Sequence, residues 1–250
     1  MPRTFDVRND EVRDLVLAEC TRVIREDGLL VVPTDTVYGI AADAFSQKGV
    51  NALLAAKGRG RDFPPPVLVA RPEVVPALAE VRDQTVFSLL AKFWPGPLTV
   101  ILPAQPSLDW DLGETHGTVA LRMPDEKHVL ELLAKTGPLA VSSANTHGVP
   151  AATTAAEAEA MLGDSVEIYL DAGQVPGVGS STIVDMSAVP PRIVRRGPIS
   201  HAELAKIVPD LLDFGAPAAA GSSTAAEPAT SEAAPADPDG TAAEARDKAD

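Results

Sequence analysis

The chain has few of the residues that mark several common function classes. It holds one cysteine in 250 residues, so no internal disulfide can form. Cys20 lies among apolar residues of an expected helix, where a buried, inert thiol is the ordinary outcome. Histidine occurs only at 116, 128, 147 and 201, with no metal-binding partners at zinc-site spacing. His128 falls on the surface pattern of a helix and reads as structural or solvated. Aromatics make up 4%, which leaves the core to Val, Leu, Ala and Ile. Cations are outnumbered, 21 against 35 acids, for a formal charge of -14. That balance argues against broad attraction to nucleic acid but allows a local basic cleft. No apolar run approaches a membrane span, and "MPRTFDVRND" has no apolar signal region. The expectation is a soluble cytoplasmic protein with no membrane partner.

Several catalytic signatures are also missing. Without G-x-x-x-x-G-K-[ST] there is no Walker phosphate cradle, and without G-x-S-x-G no serine-hydrolase elbow. "GVGSST" at 177–182 leads into strand-like "STIVD", whereas a dinucleotide site needs a helix N-terminus there. From Gly215 onward Leu, Ile, Val and aromatics disappear altogether, and seven acids face two bases. Such a segment cannot bury enough apolar surface to offset its ordering entropy. One folded domain over 1–214 and a disordered, acidic Ala/Pro-rich tail over 215–250 are therefore expected.

Within the folded part, strand and helix patterns alternate. Residues 10–27 carry a helical apolar stripe, with Asn9 or Asp10 as N-cap and Gly28 as the stop. "LLVVPT", "PVLVA", "PLTVILPA", "GTVALRMP", "PLAVSSAN", "VEIYL", "STIVD" and "RIVR" read as strands. "GVNALLAAK", the stretch from Thr85 to Phe93, "DEKHVLELLAK" and a segment from about Ser200 read as helices. The class is α/β with a mixed sheet.

Polar residues gather at the strand ends: Thr34 and Thr36 in "VVPTDTVYG", Ser142, Ser143 and Asn145 in "AVSSAN", and Ser180, Ser181 and Thr182 in "GSSTIVD". Arg195 and Arg196 end another strand. Each group has an ordinary explanation as turn, cap or surface residues, but ligands in open α/β sheets bind where such ends converge. "AAKGRGRDFPPPVLV" at 55–69 adds Lys57, Arg59 and Arg61, separated by glycines, on what reads as a solvent-facing loop. In so acidic a chain that clustering suggests an anionic ligand. Arg61 reads as solvated or as an outer cation.

In order along the chain, "PTDTVYGIAADAF", "KGR", "SSANTHGVPAATT", "GSSTIVD" and "IVRRG" resemble the YrdC-like threonylcarbamoyl-AMP synthases over roughly residues 10–210. The resemblance implies a twisted mixed sheet flanked by helices, with a concave basic cleft. It implies synthesis of threonylcarbamoyl-AMP and pyrophosphate from L-threonine, bicarbonate or CO2, and ATP, with Mg2+ carried on the triphosphate. Separate transferase proteins would pass the group to the tRNA adenosine beside the anticodon. By resemblance the catalytic tetrad is Lys57, Arg59, Ser143 and Asn145. ATP contacts fall on Lys57, Arg59, Thr118, Asn145, Thr153 and Arg195, and threonine contacts on Thr34, Thr36, Arg122, Ser143 and Ser181. Residues 60–68 depart from the family pattern, with Gly60, Arg61, Phe63 and Pro64 in place of its usual residues and Leu68 at the place of a histidine. Adenylyl transfer of this kind rests on positioning and charge stabilisation more than on a strong base. A cation 4 Å from a phosphate charge contributes ~1 kcal/mol in bulk water but ~4 kcal/mol in a partly desolvated cleft. The alternative reading is a double-stranded-RNA-binding module without catalysis.

Overall fold

A computed structural model of the chain describes residues 2–177 and 179–217. Beyond residue 217 the expected tail lies outside the described residues. The elements run β1 (Arg3–Asp6), α1 (Arg13–Arg25), β2 (Leu30–Val32), β3 (Gly39–Asp43), α2 (Gln47–Lys57), β4 (Val67–Leu68), α3 (Val75–Leu78), α4 (Thr85–Phe93) and β5 (Leu98–Pro103). They continue with β6 (Thr118–Arg122), α5 (Lys127–Thr136), β7 (Leu139–Ser143), α6 (Ala155–Leu162), β8 (Ile168–Asp171), β9 (Thr182–Asp185), β10 (Arg192–Arg195) and α7 (His201–Leu204). The strands form one mixed sheet in the order β1-β8-β2-β3-β7-β4-β6-β5-β9-β10. No helix among the described residues is long and apolar enough to cross a membrane.

Side-chain alternation divides this sheet into two faces. Val31, Ile40, Ala42, Val67, Ala140 and Tyr169 point into a large core with α2, α3, α4, α6 and α7. Leu30, Val32, Ala41, Leu68, Leu139, Val141, Ile168 and Leu170 point the other way, onto α1 and α5. That second core stops at β4. Further along the sheet Leu98, Val100, Leu102, Val119, Leu121 and Val184 still face the large core. Their alternates Thr99, Ile101, Thr118, Ala120, Arg122 and Ile183 face away from it, on a mixed polar and apolar stretch that the second core does not cover.

Several local expectations are corrected. Helix α1 begins at Arg13 with Val12 in the cap position and no side-chain cap. Asn9 instead accepts the Glu11 N–H at 3.0 Å, and Asp10 pairs with Arg13 at 2.6 Å. The left-handed residue after α1 is Asp27, at φ 62°. Gly28 serves close packing, since a Cβ there would lie 2.6 Å from Val23 Cγ1. His128 is buried at 4% exposure, with Nδ1 2.7 Å from Glu126 Oε1, so it does not lie on the helix surface. Strands β1 and β3 and helices α3 and α6 are additions to the sequence reading. "RTFD" and "GIAAD" hold almost no β-branched residues, and Ala-rich α6 has no strong apolar stripe. Cys20 is fully buried, and burial pushes its thiol up to about 12.

Candidate active site

Arg122 ends β6 on the sheet face away from the large core and is buried, 7% exposed. Its guanidinium donates from Nε to Gly96 O at 3.1 Å, from Nη1 to Thr36 Oγ1 at 3.1 Å and from Nη2 to Asp35 Oδ1 at 2.6 Å. Burial pushes it below the usual arginine value, and Asp35 opposes that shift. Thr34 supports the same turn from within. Its hydroxyl accepts the Thr36 N–H at 3.1 Å and donates to Val37 O at 2.6 Å, and it lies 3.0 Å from Thr36 Oγ1. The turn explanation therefore describes Thr34, while Thr36 and Arg122 form one polar edge of the cleft.

A second edge comes from the last two strands. Ser181 precedes β9 and lies beside Thr99, their hydroxyl oxygens 2.7 Å apart. Arg195 at the end of β10 donates from Nη2 to Ser181 Oγ at 3.0 Å and from Nε to Ser181 O at 3.0 Å. Gly197 makes this approach possible, because a Cβ there would sit 2.3 Å from Thr182 N and 2.6 Å from Ser180 O.

The third group lies where β7 ends. Lys57 is the last residue of α2 and is 1% exposed, so the expected solvent-facing loop lysine is overturned. Its Nζ donates to Asn145 O at 2.8 Å, to Asn145 Oδ1 at 3.0 Å and to Ser143 O. Gly58 then ends the helix in the left-handed conformation at φ 63°, and Arg59 follows with its guanidinium 5.6 Å over the Phe63 ring. Arg61 turns away from this group. It pairs with Asp111 and reaches Asn51 Oδ1 at 3.2 Å, and it holds the Asp111 carboxyl below the usual range. The "KGRGR" cations are thus spread over three environments and do not share one bend. Phe63 contacts both Arg59 and His147, the rings of the latter pair 5.7 Å apart. Leu68 packs in the core against α1 and α5.

Backbone bonds join the loops. Tyr38 O accepts from Ala144 N at 2.7 Å, Thr36 O from Gly177 N at 3.0 Å, and Thr153 O from Val175 N at 2.9 Å. Two expected site residues make their side-chain bonds to groups outside these clusters. Thr118 opens β6 at the far end of the stripe that carries Arg122, and its hydroxyl donates to Thr115 O at 2.8 Å. Thr153 donates from Oγ1 to Glu157 Oε2 at 3.0 Å, beside the capping box that Thr154 makes for α6. Ser143 and Asn145 do not cap that helix. Sequence reasoning missed Asp35 and Thr99. Thr99 was visible as the polar alternate between Leu98 and Val100, whereas nothing local distinguishes Asp35 from a turn aspartate. Among the described residues no cluster of three or more His, Cys, Asp or Glu could hold a metal ion.

Comparison with known proteins places this geometry. Residues 22–197 match the Sua5/YciO/YrdC family, described as "Telomere recombination". A provisionally named threonylcarbamoyl-AMP synthase of Mycobacterium tuberculosis H37Rv is 45% identical over 208 residues, covering 83% of this chain and 96% of that protein. The threonylcarbamoyl-AMP synthase of Pyrococcus abyssi is 33% identical over 189 residues, covering 75% of this chain and 56% of its own. The crystal structure of P. abyssi Sua5 complexed with L-threonine superposes with a TM-score of 0.79 at 30% identity, covering 86% of this chain and 63% of that one. The chain belongs to the Sua5/YciO/YrdC family.

Proposed function

We propose that the protein is an L-threonylcarbamoyl-AMP synthase, converting L-threonine, bicarbonate or CO2, and ATP to threonylcarbamoyl-AMP and pyrophosphate. The observation that carries this reading is the buried Arg122–Thr36 contact at the end of β6, in a chain whose relatives are named for that activity. A buried guanidinium beside hydroxyls suits an amino-acid carboxylate, and Ser181 and Ser143 extend the threonine side. Thr34 contributes by holding the turn. On the nucleotide side we place Arg59, Thr118, Asn145, Thr153 and Arg195, where cations in a partly desolvated cleft stabilise charge developing at the α-phosphate. Threonine's amine combines with CO2 to a carbamate, whose oxygen attacks the α-phosphate as pyrophosphate leaves. Mg2+ would arrive with the triphosphate, held through phosphate oxygens and water.

The reading extends to a single catalytic domain over 1–214, a cytoplasmic setting and transferase proteins that carry the group on to tRNA. An RNA-binding module without catalysis is not favoured, since the relatives carry an enzyme's name. Pyrophosphate release by the full chain with an amino-acid panel, with and without bicarbonate, is the test. Release should require ATP, bicarbonate and L-threonine together. Release that ignores threonine would overturn the reading.

A further inference from the structure

We propose that Lys57 is a positioning residue: its ammonium locks the exit of β7 so that Ser143 is presented to threonine, and it does not itself hold the triphosphate. The inference rests on the functional reading above and refines the role that the family resemblance gives to this lysine.

Lys57 is 1% exposed, and its ammonium donates to Ser143 O, Asn145 O and Asn145 Oδ1. An ammonium has three N–H donors and no acceptor, so these oxygens match its whole capacity. A triphosphate could reach it only by displacing a carbonyl that would then be buried without a partner. The acceptors also explain the local path of the chain. Two carbonyls, two residues apart, converge on a single cation, which bends the backbone between them. Asn145 is fixed at the same time: Oδ1 accepts from Lys57, while Nδ2 donates to Val149 O at 2.5 Å and Thr146 O at 3.1 Å. With its carbonyl held, Ser143 is the remaining member of the group. It is half-buried at the very end of β7, on the same sheet face as Leu139 and Val141 and past the last of them that packs on α1 and α5. The ladder from Ser143 to Gly39 ties this exit to the strand that follows the Thr36 turn. A change at Lys57 therefore reaches the threonine side of the cleft through backbone geometry.

The two roles separate in nucleotide-free protein. Titration calorimetry with L-threonine alone should show Lys57→Met binding more weakly by roughly tenfold, about the loss in Ser143→Ala, with the double variant no weaker than either by more than about threefold. A triphosphate ligand predicts unchanged threonine affinity in Lys57→Met and a loss confined to ATP, and that result overturns the inference. Should Lys57→Met fail to fold, wild-type protein decides. The Lys57 15Nζ resonance should hold its shift on saturation with Mg·ATP, and a large shift or loss of protection overturns the proposal. Wild-type protein that binds neither ligand would overturn the functional reading and this inference together. Wild type that binds both, with only ATP lost in Lys57→Met, overturns this inference alone.

Discussion

Asp35 Oδ1 accepts both from Arg122 Nη2 at 2.6 Å and from the backbone N–H of Asp125 at 3.0 Å, so one carboxylate fixes the guanidinium and the chain that leaves β6. Both partners of the ion pair are largely buried, at 9% and 14% side-chain exposure. Breaking a buried pair from one side is costly because it leaves the other charge uncompensated.

Asp35→Asn keeps the shape and removes that compensation. Stability should fall by up to about 3 kcal/mol, and KM for threonine should rise by roughly tenfold with little change for ATP. Steady-state pyrophosphate release with each substrate varied in turn, beside a thermal melt, checks both. A raised KM for ATP with threonine unaffected would show that Asp35 does not act through Arg122.

The resemblance gives Ser181 to threonine and Arg195 to the nucleotide, which suggests variants that separate kinetically. The structure joins them, because Arg195 contacts both the hydroxyl and the carbonyl of Ser181. Ser181→Ala and Arg195→Ala should therefore each weaken both substrates. A double-mutant cycle should give a coupling of about 1 kcal/mol, in the range usual for residues in contact. Strict additivity would restore two independent contacts.

What could be read in advance follows the distance over which each feature is decided. Strands β2, β5, β6, β7, β9 and β10 declare themselves through apolar runs bounded by turns, and α5 through its stripe and Glu126 cap. The polar residues at their ends were legible too, because an apolar strand makes Thr36, Ser143 or Arg195 conspicuous, whereas Arg122 entered only through the family resemblance. The helix ending at Lys57 was legible, but the burial of its ammonium was not, because its acceptors lie far along the chain at residues 143 and 145. Arg61 likewise depended on a distant partner, Asp111. Strand β1 was missed because its parallel pairing with β8, from Arg3 with Ile168 to Asp6 with Asp171, supplies what its own residues lack.

Removal of residues 218–250 should leave pyrophosphate release and melting temperature unchanged. The segment contains no Leu, Ile, Val or aromatic residue with which to dock on the domain. A melting temperature lower by more than a few degrees, or a large loss of turnover, would refute the proposed domain boundary.

Three buried acids, Cys20, Tyr38 and Tyr169, are raised by burial and set an alkaline limit. Burial raises Cys20 from 9.0 to about 12 and Tyr38 from 10.0 to about 12. A group whose folded value lies above its unfolded value stabilises the fold fully below the unfolded value, and that contribution is lost as pH rises toward the folded one. Melting temperature should therefore decline from about pH 9 upward, and less steeply in Tyr38→Phe. Melts at constant ionic strength from pH 8 to 11.5 test this, and a flat profile would contradict the assignment.

Gly197 offers the sharpest test of the Ser181 edge. The residue does not need glycine for a left-handed conformation, since it is absent from the positive-φ residues of the chain. It needs glycine for space. A Cβ would meet Thr182 N at 2.3 Å, Ser181 C at 2.5 Å and Ser180 O at 2.6 Å, all backbone atoms that cannot rotate aside. Gly197→Ala must therefore push the segment before β9 outward, drawing Ser181 from its 2.7 Å contact with Thr99 and its 3.0 Å contact with Arg195. Overpacking of this kind costs about 1–3 kcal/mol, which a domain of this size should survive. Misplacement of a binding group by about 1 Å can cost roughly a hundredfold in rate. The expected result is a folded variant, shown by its melt, with pyrophosphate release reduced by about two orders of magnitude and weakened affinity for both threonine and ATP. Turnover within a few-fold of wild type in folded Gly197→Ala would remove Ser181 and its neighbours from the site.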